Sequence, residues 1–322
     1  NKSLCLRPEM TTSIVKLIST RLINKKRPVR LWNNGIIFEK KDGVKNSQKL
    51  NERIQSGIEL IGYNTRFPEI EVINILFDSI DKLKLKDNCE LVLLVSSTTL
   101  MDLILNKYKN NNYEEIKKSM VNFDQDNLNK LGISNQDKEF LNELLYTRGE
   151  PKLVLKTLIN LYGKNKILND LKYLFNTISP LADIYNIKIQ LDPTFQPHLN
   201  LYQGIVFQLI CNLENEKLII AKGGRYDELV RFFNPKENFP TGLGFSISID
   251  NLRKVIKEEE QKYKKVLLVF KNNNDLSKAL EEQKKHHQLG IISIVEINPC
   301  KNQKQAEYLM NENNCTEIKW IN

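Results

Sequence analysis

The sequence lacks any long run of apolar residues. Its strongest apolar run, residues 91–95, is far shorter than the roughly 20 residues that a membrane-crossing helix needs. It also lacks the pattern of a secretory signal peptide. These absences argue against a membrane span and against secretion, so we expect a cytoplasmic protein with no membrane partner.

Cysteine and histidine are scarce and scattered. The five cysteines lie far apart, and they form no Cys-x-x-Cys pair and no Cys/His cluster at zinc spacing. Two of the three histidines, His286 and His287, fall in a charged helical stretch where a solvated surface is the default interpretation. We therefore predict no metal ion, no cofactor, and reduced thiols of the kind found in the cytosol.

Positive charge is in excess but is not clustered. The chain carries 48 Lys and Arg against 39 Asp and Glu, a formal charge of +9. The densest basic run, residues 25–27, is short, and no basic stripe interleaved with aromatic residues is present. Because nucleic-acid-binding surfaces concentrate their cations, we interpret the lysines as a solvated surface and expect no nucleic-acid partner.

The pattern of strands and helices indicates an α+β domain over residues 1–263. Strand patterns occur near both ends of this range, at 29–39, 58–61, 90–96, 187–191, 204–211, 217–221 and 242–249. Amphipathic or helical patterns occur at 10–24, 70–83, 226–233 and 250–264, and residues 98–180 are mostly helical. Strands grouped on both sides of a helical block predict a largely antiparallel sheet with a helical insertion at about 98–180.

The pattern changes in residues 264–322, which alternate strand, helix, strand, helix and strand. The strands are expected at 265–270, 291–297 and 316–321, with helices at 276–289 and 303–311. Such regular alternation is typical of a small α/β domain.

Several polar residues occur in patterns more specific than their local structure requires. Glu9 and Thr11 follow a proline at a helix start, where a cap is the simpler interpretation. Gln55 and Glu59 point to the same side of either a strand or a helix, so they can share one site. The glycine pair at 223–224 is either a plain turn or a place where the backbone approaches a ligand closely.

Four segments together resemble the catalytic domain of histidyl-tRNA synthetase, a class II aminoacyl-tRNA synthetase. They are Leu-Arg-Pro-Glu-Met-Thr at 6–11, Gln-Ser-Gly-Ile-Glu at 55–59, Gly-Gly-Arg-Tyr-Asp at 223–227 and Gly-Phe-Ser-Ile-Ser-Ile-Asp-Asn-Leu at 244–252. A fifth segment, 199–207, resembles the histidine-specific motif but carries Leu201 in place of one of its two tyrosines. The resemblance implies the class II fold: an antiparallel sheet with helices.

The resemblance also implies a histidine-binding pocket. Glu9, Thr11 and Gln55 would hold the α-amino group, and a carboxylate suits an ammonium because charge-assisted hydrogen bonds are strong. Glu59 and Tyr202 would bind the two imidazole nitrogens, which fixes the tautomer. The second histidine motif would complete the pocket with Gly223, Gly224, Arg225 and Tyr226.

The family's catalytic arginines are replaced in this chain. Glu39, Pro197 and Asn251 stand where the resemblance places them. Amino-acid activation passes through a phosphate transition state that cations stabilise, and a glutamate reverses the local charge. We therefore predict a pocket without catalysis.

A synthetase-like pocket without catalysis resembles the regulatory subunits of ATP phosphoribosyltransferase, which are paralogues of histidyl-tRNA synthetase. The resemblance implies a non-catalytic protein that dimerises with itself and assembles with the short-form catalytic subunit, usually as a hetero-octamer. It implies activation of the first step of histidine biosynthesis and feedback inhibition, with histidine as the allosteric ligand. Residues 264–322 resemble a shortened anticodon-binding domain. Because the first motif lies almost at residue 1, we also expect a preceding segment.

Three alternatives remain open. The chain could be an active histidyl-tRNA synthetase, against which the replaced arginines argue. It could be a tRNA-sensing, synthetase-like module, against which the absence of a basic stripe argues. It could also be a scaffold whose pocket binds nothing, for which Pro197 and Leu201 argue.

Overall fold

The computed structural model describes residues 5–40, 50–109, 112–196, 201–257 and 264–322. The chain divides into two compact units, Asn1–Lys257 and Glu258–Asn322. Within the described ranges, no helix is long and apolar enough to cross a membrane, and no cluster of His, Cys, Asp and Glu could hold a metal ion.

A seven-stranded sheet forms the centre of the first unit. Its strands are β1 (Val29–Lys40), β2 (Leu50–Ile61), β3 (Glu90–Ser97), β4 (Ile187–Leu191), β5 (Ile205–Asn212), β6 (Lys217–Arg225) and β7 (Gly242–Ser248). Their order across the sheet is β1-β2-β7-β6-β5-β3-β4. β4 pairs with β3 in parallel, and the other neighbouring pairs run antiparallel. The predicted largely antiparallel α+β fold is confirmed.

Ten α-helices accompany this sheet in the described part of the unit. They are α1 (Thr11–Thr20), α2 (Pro68–Asp81), α3 (Thr98–Ile104), α4 (Tyr113–Val121), α5 (Gln125–Lys130), α6 (Asn135–Tyr146), α7 (Pro151–Tyr162), α8 (Lys166–Ile184), α9 (Asp227–Phe233) and α10 (Ile249–Val255). The six helices α3 to α8 follow one another between β3 and β4, as a block inserted in the chain of strands.

The two faces of the sheet are covered by different helices. α2 and α8 each bury a stripe at helical spacing in the largest apolar cluster, together with one face of β5, β6 and β7. On the other face, α1 and α9 contribute to a smaller cluster that includes Ile14, Ile18, Ile61 and Tyr226. The candidate site lies on this second face.

The second unit is a three-layer α/β sandwich. Its parallel sheet has the order β10-β8-β9, with β8 (Lys265–Phe270) between β9 (Ile292–Val295) and β10 (Glu317–Ile321). Val266, Leu268 and Phe270 pack towards α11 (Leu276–Gln288), whereas Leu267 and Val269 pack towards α12 (Gln303–Glu312). Strand alternation therefore buries both faces of β8, as expected for an α/β unit.

Three expectations from the sequence are corrected. β6 does not stop before the glycine pair but continues to Arg225, because it is hydrogen-bonded to β5 and to β7 there. β2 begins at Leu50, well before the predicted strand, because it pairs with the whole of β1. Cys89 and Cys211 form a disulfide rather than staying reduced, since Cys89 directly precedes β3 and Cys211 is paired with Leu91, two residues further along β3.

Candidate functional site

Two glycines make room for the polar side chains of the site. Directly paired residues on neighbouring strands point to the same face, and Glu59 pairs with Gly244, which pairs with Gly224. A Cβ on Gly244 would lie 2.0 Å from Glu59 Oε2, and one on Gly224 would lie 2.7 Å from the Tyr202 ring. The Glu59 carboxyl and the Tyr202 ring thus pack directly against the backbone of Gly244 and Gly224.

Glu59 is the buried acid at the centre of the site. It is 4% exposed, and its Oε1 accepts a 2.7 Å hydrogen bond from Thr11 Oγ1 while its Oε2 accepts one from the Tyr226 hydroxyl. Burial raises the pKa of Glu59 to about 7, the two hydrogen bonds oppose this rise, and the charge of Glu9 adds to it. Near neutral pH, Glu59 is therefore partly neutral and partly ionised.

Glu9 connects the site to the start of α1. Its carboxylate accepts hydrogen bonds of 3.0 and 3.2 Å from the Thr12 amide, so it caps the first turn of the helix. Its charge also reaches Glu59 and Tyr202, because it raises the pKa of both. Glu9 therefore caps the first turn of α1 and also lies close enough to Glu59 and Tyr202 for its charge to act on them.

Burial raises the pKa of both tyrosines of the site. Tyr226 is almost fully buried, and its pKa is raised well above 10 by burial and then by the charge of Glu59. The pKa of Tyr202 is also raised, first by burial and then by the charges of Glu59 and Glu9. Both hydroxyls therefore stay protonated at neutral pH and can donate hydrogen bonds.

Gln55 lies in an adjoining cavity on the same face of the sheet. This cavity measures 240 Å³, and Glu39 and Asn251 also line it. Asn251 Nδ2 donates a 2.9 Å hydrogen bond to the Ile219 carbonyl, which ties α10 to β6. Pro197, the third replaced position, lies outside the described residues.

Three cationic side chains that were not predicted from the sequence also line this cavity. Arg53, Lys217 and Lys222 contribute to its lining, and Arg53 Nε lies 3.8 Å from Glu39 Oε2. The alternation of β2 was the available signal for Arg53, because residues 53, 55 and 59 share one face of a strand. The charge reversal at Glu39 is thus partly offset by a neighbouring arginine.

The structure does not bring Gly223 and Arg225 to this face. A Cβ on Gly223 would meet the Phe207 ring at 2.4 Å, in the main core. Arg225 Nε donates to Asp227 at 2.9 Å, and its Nη1 lies 3.3 Å from Glu69 Oε1. Arg225 lines a separate cavity of 540 Å³, on the side of the sheet that packs against α2 and α8. Its ion pairs hold the turn between β6 and α9, which positions Tyr226.

Replacing Arg225 by methionine should lower the free energy of unfolding by about 3 kcal/mol, because removal of one partner leaves the others unpaired. Burial already raises the pKa of Glu69, and Arg225 opposes that rise. Without the arginine the pKa rises further, so the loss should be larger at pH 8 than at pH 5. Urea unfolding measures it, with Arg231→Met at an exposed position of α9 as the matched control. Equal losses of stability for Arg225→Met and Arg231→Met would contradict the structural role of Arg225.

The fold and the site define a class of protein, those built on the catalytic fold of histidyl-tRNA synthetase. The family model of histidyl-tRNA synthetase matches residues 1–252. A solved structure from Bacillus halodurans, described as an ATP phosphoribosyltransferase regulatory subunit/histidyl-tRNA synthetase, is similar with a TM-score of 0.77. It covers 98% of this chain and 79% of its own, at 20% identity.

Sequence similarity identifies a family within this class. A relative from Prochlorococcus marinus subsp. pastoris, named ATP phosphoribosyltransferase regulatory subunit, is 64% identical, over 100% of this chain and 84% of the relative. The chain belongs to the family of ATP phosphoribosyltransferase regulatory subunits. A HisG:HisZ complex of ATP phosphoribosyl transferase from Thermotoga maritima also has a similar chain, with a TM-score of 0.58 and 15% identity. That similarity covers 76% of this chain and 81% of the other.

Proposed function

We propose that this protein is a non-catalytic subunit that activates a short-form ATP phosphoribosyltransferase catalytic subunit and makes it sensitive to histidine. The name of the 64% identical relative supports the regulatory role, and the named Thermotoga maritima complex supports a catalytic partner. The observation that carries the histidine part of the proposal is the buried Glu59 carboxyl between Thr11 and Tyr226.

Histidine is the ligand that best fits this chemistry. The imidazole has two ring nitrogens, and Glu59 and Tyr202 offer an acceptor and a hydroxyl on the same face of the sheet. Glu9, Thr11 and Gln55 supply oxygens for the α-amino group, and a partly buried carboxylate is a strong partner for an ammonium.

The same hydrogen bonds provide a route for regulation. Thr11 is the first residue of α1, and its hydroxyl is engaged by Glu59 in this structure. An imidazole that takes Glu59 Oε1 as its acceptor would compete with Thr11, so we expect the position of α1 to differ between the free and the bound protein. A ligand that prefers one of two states shifts their equilibrium by its differential affinity.

Self-association completes the proposed assembly, a self-dimer within a hetero-octamer. The β1–β2 hairpin exposes apolar side chains on the face opposite the site. Trp32 is 77% exposed, and Ile36 pairs directly with Ile54, which is also exposed. A contiguous exposed apolar patch is typical of a protein–protein contact. No cofactor is part of the proposal, and the complex works in the cytoplasm.

Activation of the cognate catalytic subunit is the direct test. Formation of phosphoribosyl-ATP should rise when the protein is added and fall at least about fivefold when histidine is then added. Activation that histidine does not reverse would leave an assembly role and remove the pocket from the proposal. The absence of any activation would refute the regulatory role for this chain.

Amino-acid activation is a second candidate, because Arg53, Lys217 and Lys222 place positive charge in the cavity beside Gln55. An ATP–pyrophosphate exchange assay with histidine separates the two functions. We expect no exchange, since Glu39 lies in the same cavity and offsets part of that charge. Histidine-dependent exchange would favour the synthetase.

A further inference from the structure

The helical block carries a groove far from the candidate site in the sequence. It lies between α7 and α8, which are joined by only three residues, and it encloses 640 Å³. One wall comes from residues spaced three and four apart on α7, and the other from residues of the same spacing on α8. The groove is therefore the seam along one side of a helical hairpin.

The floor of the groove is apolar. Leu155 and Phe175 are buried in it, whereas Leu153 at its rim is 60% exposed. Pro180 lines the groove inside α8 and has no N–H to give to the carbonyl one turn earlier. A large exposed leucine beside an apolar floor is the kind of surface that a partner covers.

The rim of the groove carries charged side chains of both signs, with more positive than negative ones. Lys152, Lys156 and Lys172 line the groove, and none of them has an ion pair with another described residue. Glu150 and Asp183 also line it, likewise without an ion pair in the described ranges. The three ammonium groups outnumber the two carboxylates, so the groove favours an occupant with acidic side chains.

We propose that this groove binds an amphipathic, acidic helix of the catalytic subunit. The inference rests on the function proposed above. A third helix laid along a helical hairpin would bury its apolar stripe on Leu153 and Phe175, which is the usual helix-in-groove mode. The net charge of +9 disfavours a second copy of this chain as the occupant of a lysine-rich groove.

The test compares charge reversal in the groove with charge reversal elsewhere in the same helical block. The groove variant is K152E/K156E/K172E. The matched control is K109E/K118E/K130E, at exposed lysines of equal charge that do not line the groove. Sedimentation or fluorescence anisotropy gives the Kd of each variant for the cognate catalytic subunit. We expect the groove variant to bind at least 10-fold more weakly and the control to stay within about twofold of the unaltered protein.

A second variant tests the apolar contact at the rim of the groove independently of charge. Leu153→Ser removes the exposed leucine, and because the side chain is already 60% exposed the fold should be retained. We expect weaker binding of the catalytic subunit, with unchanged thermal unfolding.

Each other outcome overturns the inference in a recognisable way. If the unaltered protein binds the catalytic subunit and both triple variants bind it equally well, the groove proposal fails while the proposed function stands. If the unaltered protein does not bind, the proposed function fails and the groove proposal fails with it. If the groove variant instead weakens self-association of this chain, the occupant is a second copy.

Discussion

Replacing Gly244 by alanine should unfold or severely destabilise the protein, lowering the free energy of unfolding by about 3 kcal/mol or more. The added methyl group would lie 2.0 Å from Glu59 Oε2 and 2.3 Å from the Ile58 carbonyl oxygen. The carboxyl could move, but the carbonyl belongs to the backbone of paired β2, so the sheet itself would have to shift. Histidine binding should be lost together with stability, because Glu59 would be displaced.

Gly35→Ala is the matched control for this prediction. It also adds one methyl group to a strand of the same sheet, but its nearest neighbours are the ends of the flexible Met10 and Arg7 side chains, at 3.1 and 3.2 Å. Chemical denaturation should show a small change for Gly35→Ala and a large one for Gly244→Ala. Similar stabilities of the two variants would mean that the close approach of Glu59 to β7 does not exist in solution.

The pair of glycines under the site shows what the sequence could not reveal. Glu59 and Gly224 are separated by more than half of the chain, and their closeness depends on the register of β2, β7 and β6. Local periodicity predicts which face of a strand a residue occupies, but not which residue of another strand lies beside it. The disulfide between Cys89 and Cys211 was missed for the same reason.

Strand alternation was informative for Gln55 and Glu59 although the start of β2 was not predicted, because residues four apart share one face of a strand whatever its length. It placed Gln55 and Glu59 on one face, and the structure has them so. It misled where β6 was ended too early, because a strand that continues through residues 223–225 puts Arg225 on the face opposite Gly224. The resemblance grouped these residues by motif, whereas the pleat of the sheet separates them.

The helical block was recognisable from its helical pattern between two groups of strands, but its groove was not. Helical spacing on α7 and α8 predicts one buried face for each helix. Whether the remaining apolar residues meet in a seam depends on how two helices pack, which no local pattern contains. Leu153 would otherwise be interpreted as one of the scattered apolar residues that every surface carries.

The second large effect expected is a pH-dependent contribution to stability that is lost when Glu59 is replaced by glutamine. Burial raises the pKa of Glu59 from 4.5 to about 7 in the folded protein. The folded state therefore binds a proton more tightly than the unfolded state. The stabilisation is complete below pH 4.5 and is lost as the pH rises through 7. A shift of this size corresponds to about 3 kcal/mol between pH 4 and pH 8.

The measurement is the free energy of unfolding of the parent and of Glu59→Gln across that pH range. Glutamine keeps the size of the side chain and can still accept one hydrogen bond and donate others, but it does not titrate. The variant should therefore gain about 3 kcal/mol relative to the parent as the pH rises from 4 to 8.

The control for this measurement is Glu139→Gln, the same substitution at an exposed glutamate of α6. A parallel course of the parent and Glu59→Gln would show that Glu59 is already ionised at pH 5. An ionised Glu59 would be an acceptor at every physiological pH. The pKa of about 7 instead makes its readiness to accept a histidine imidazole depend on the pH.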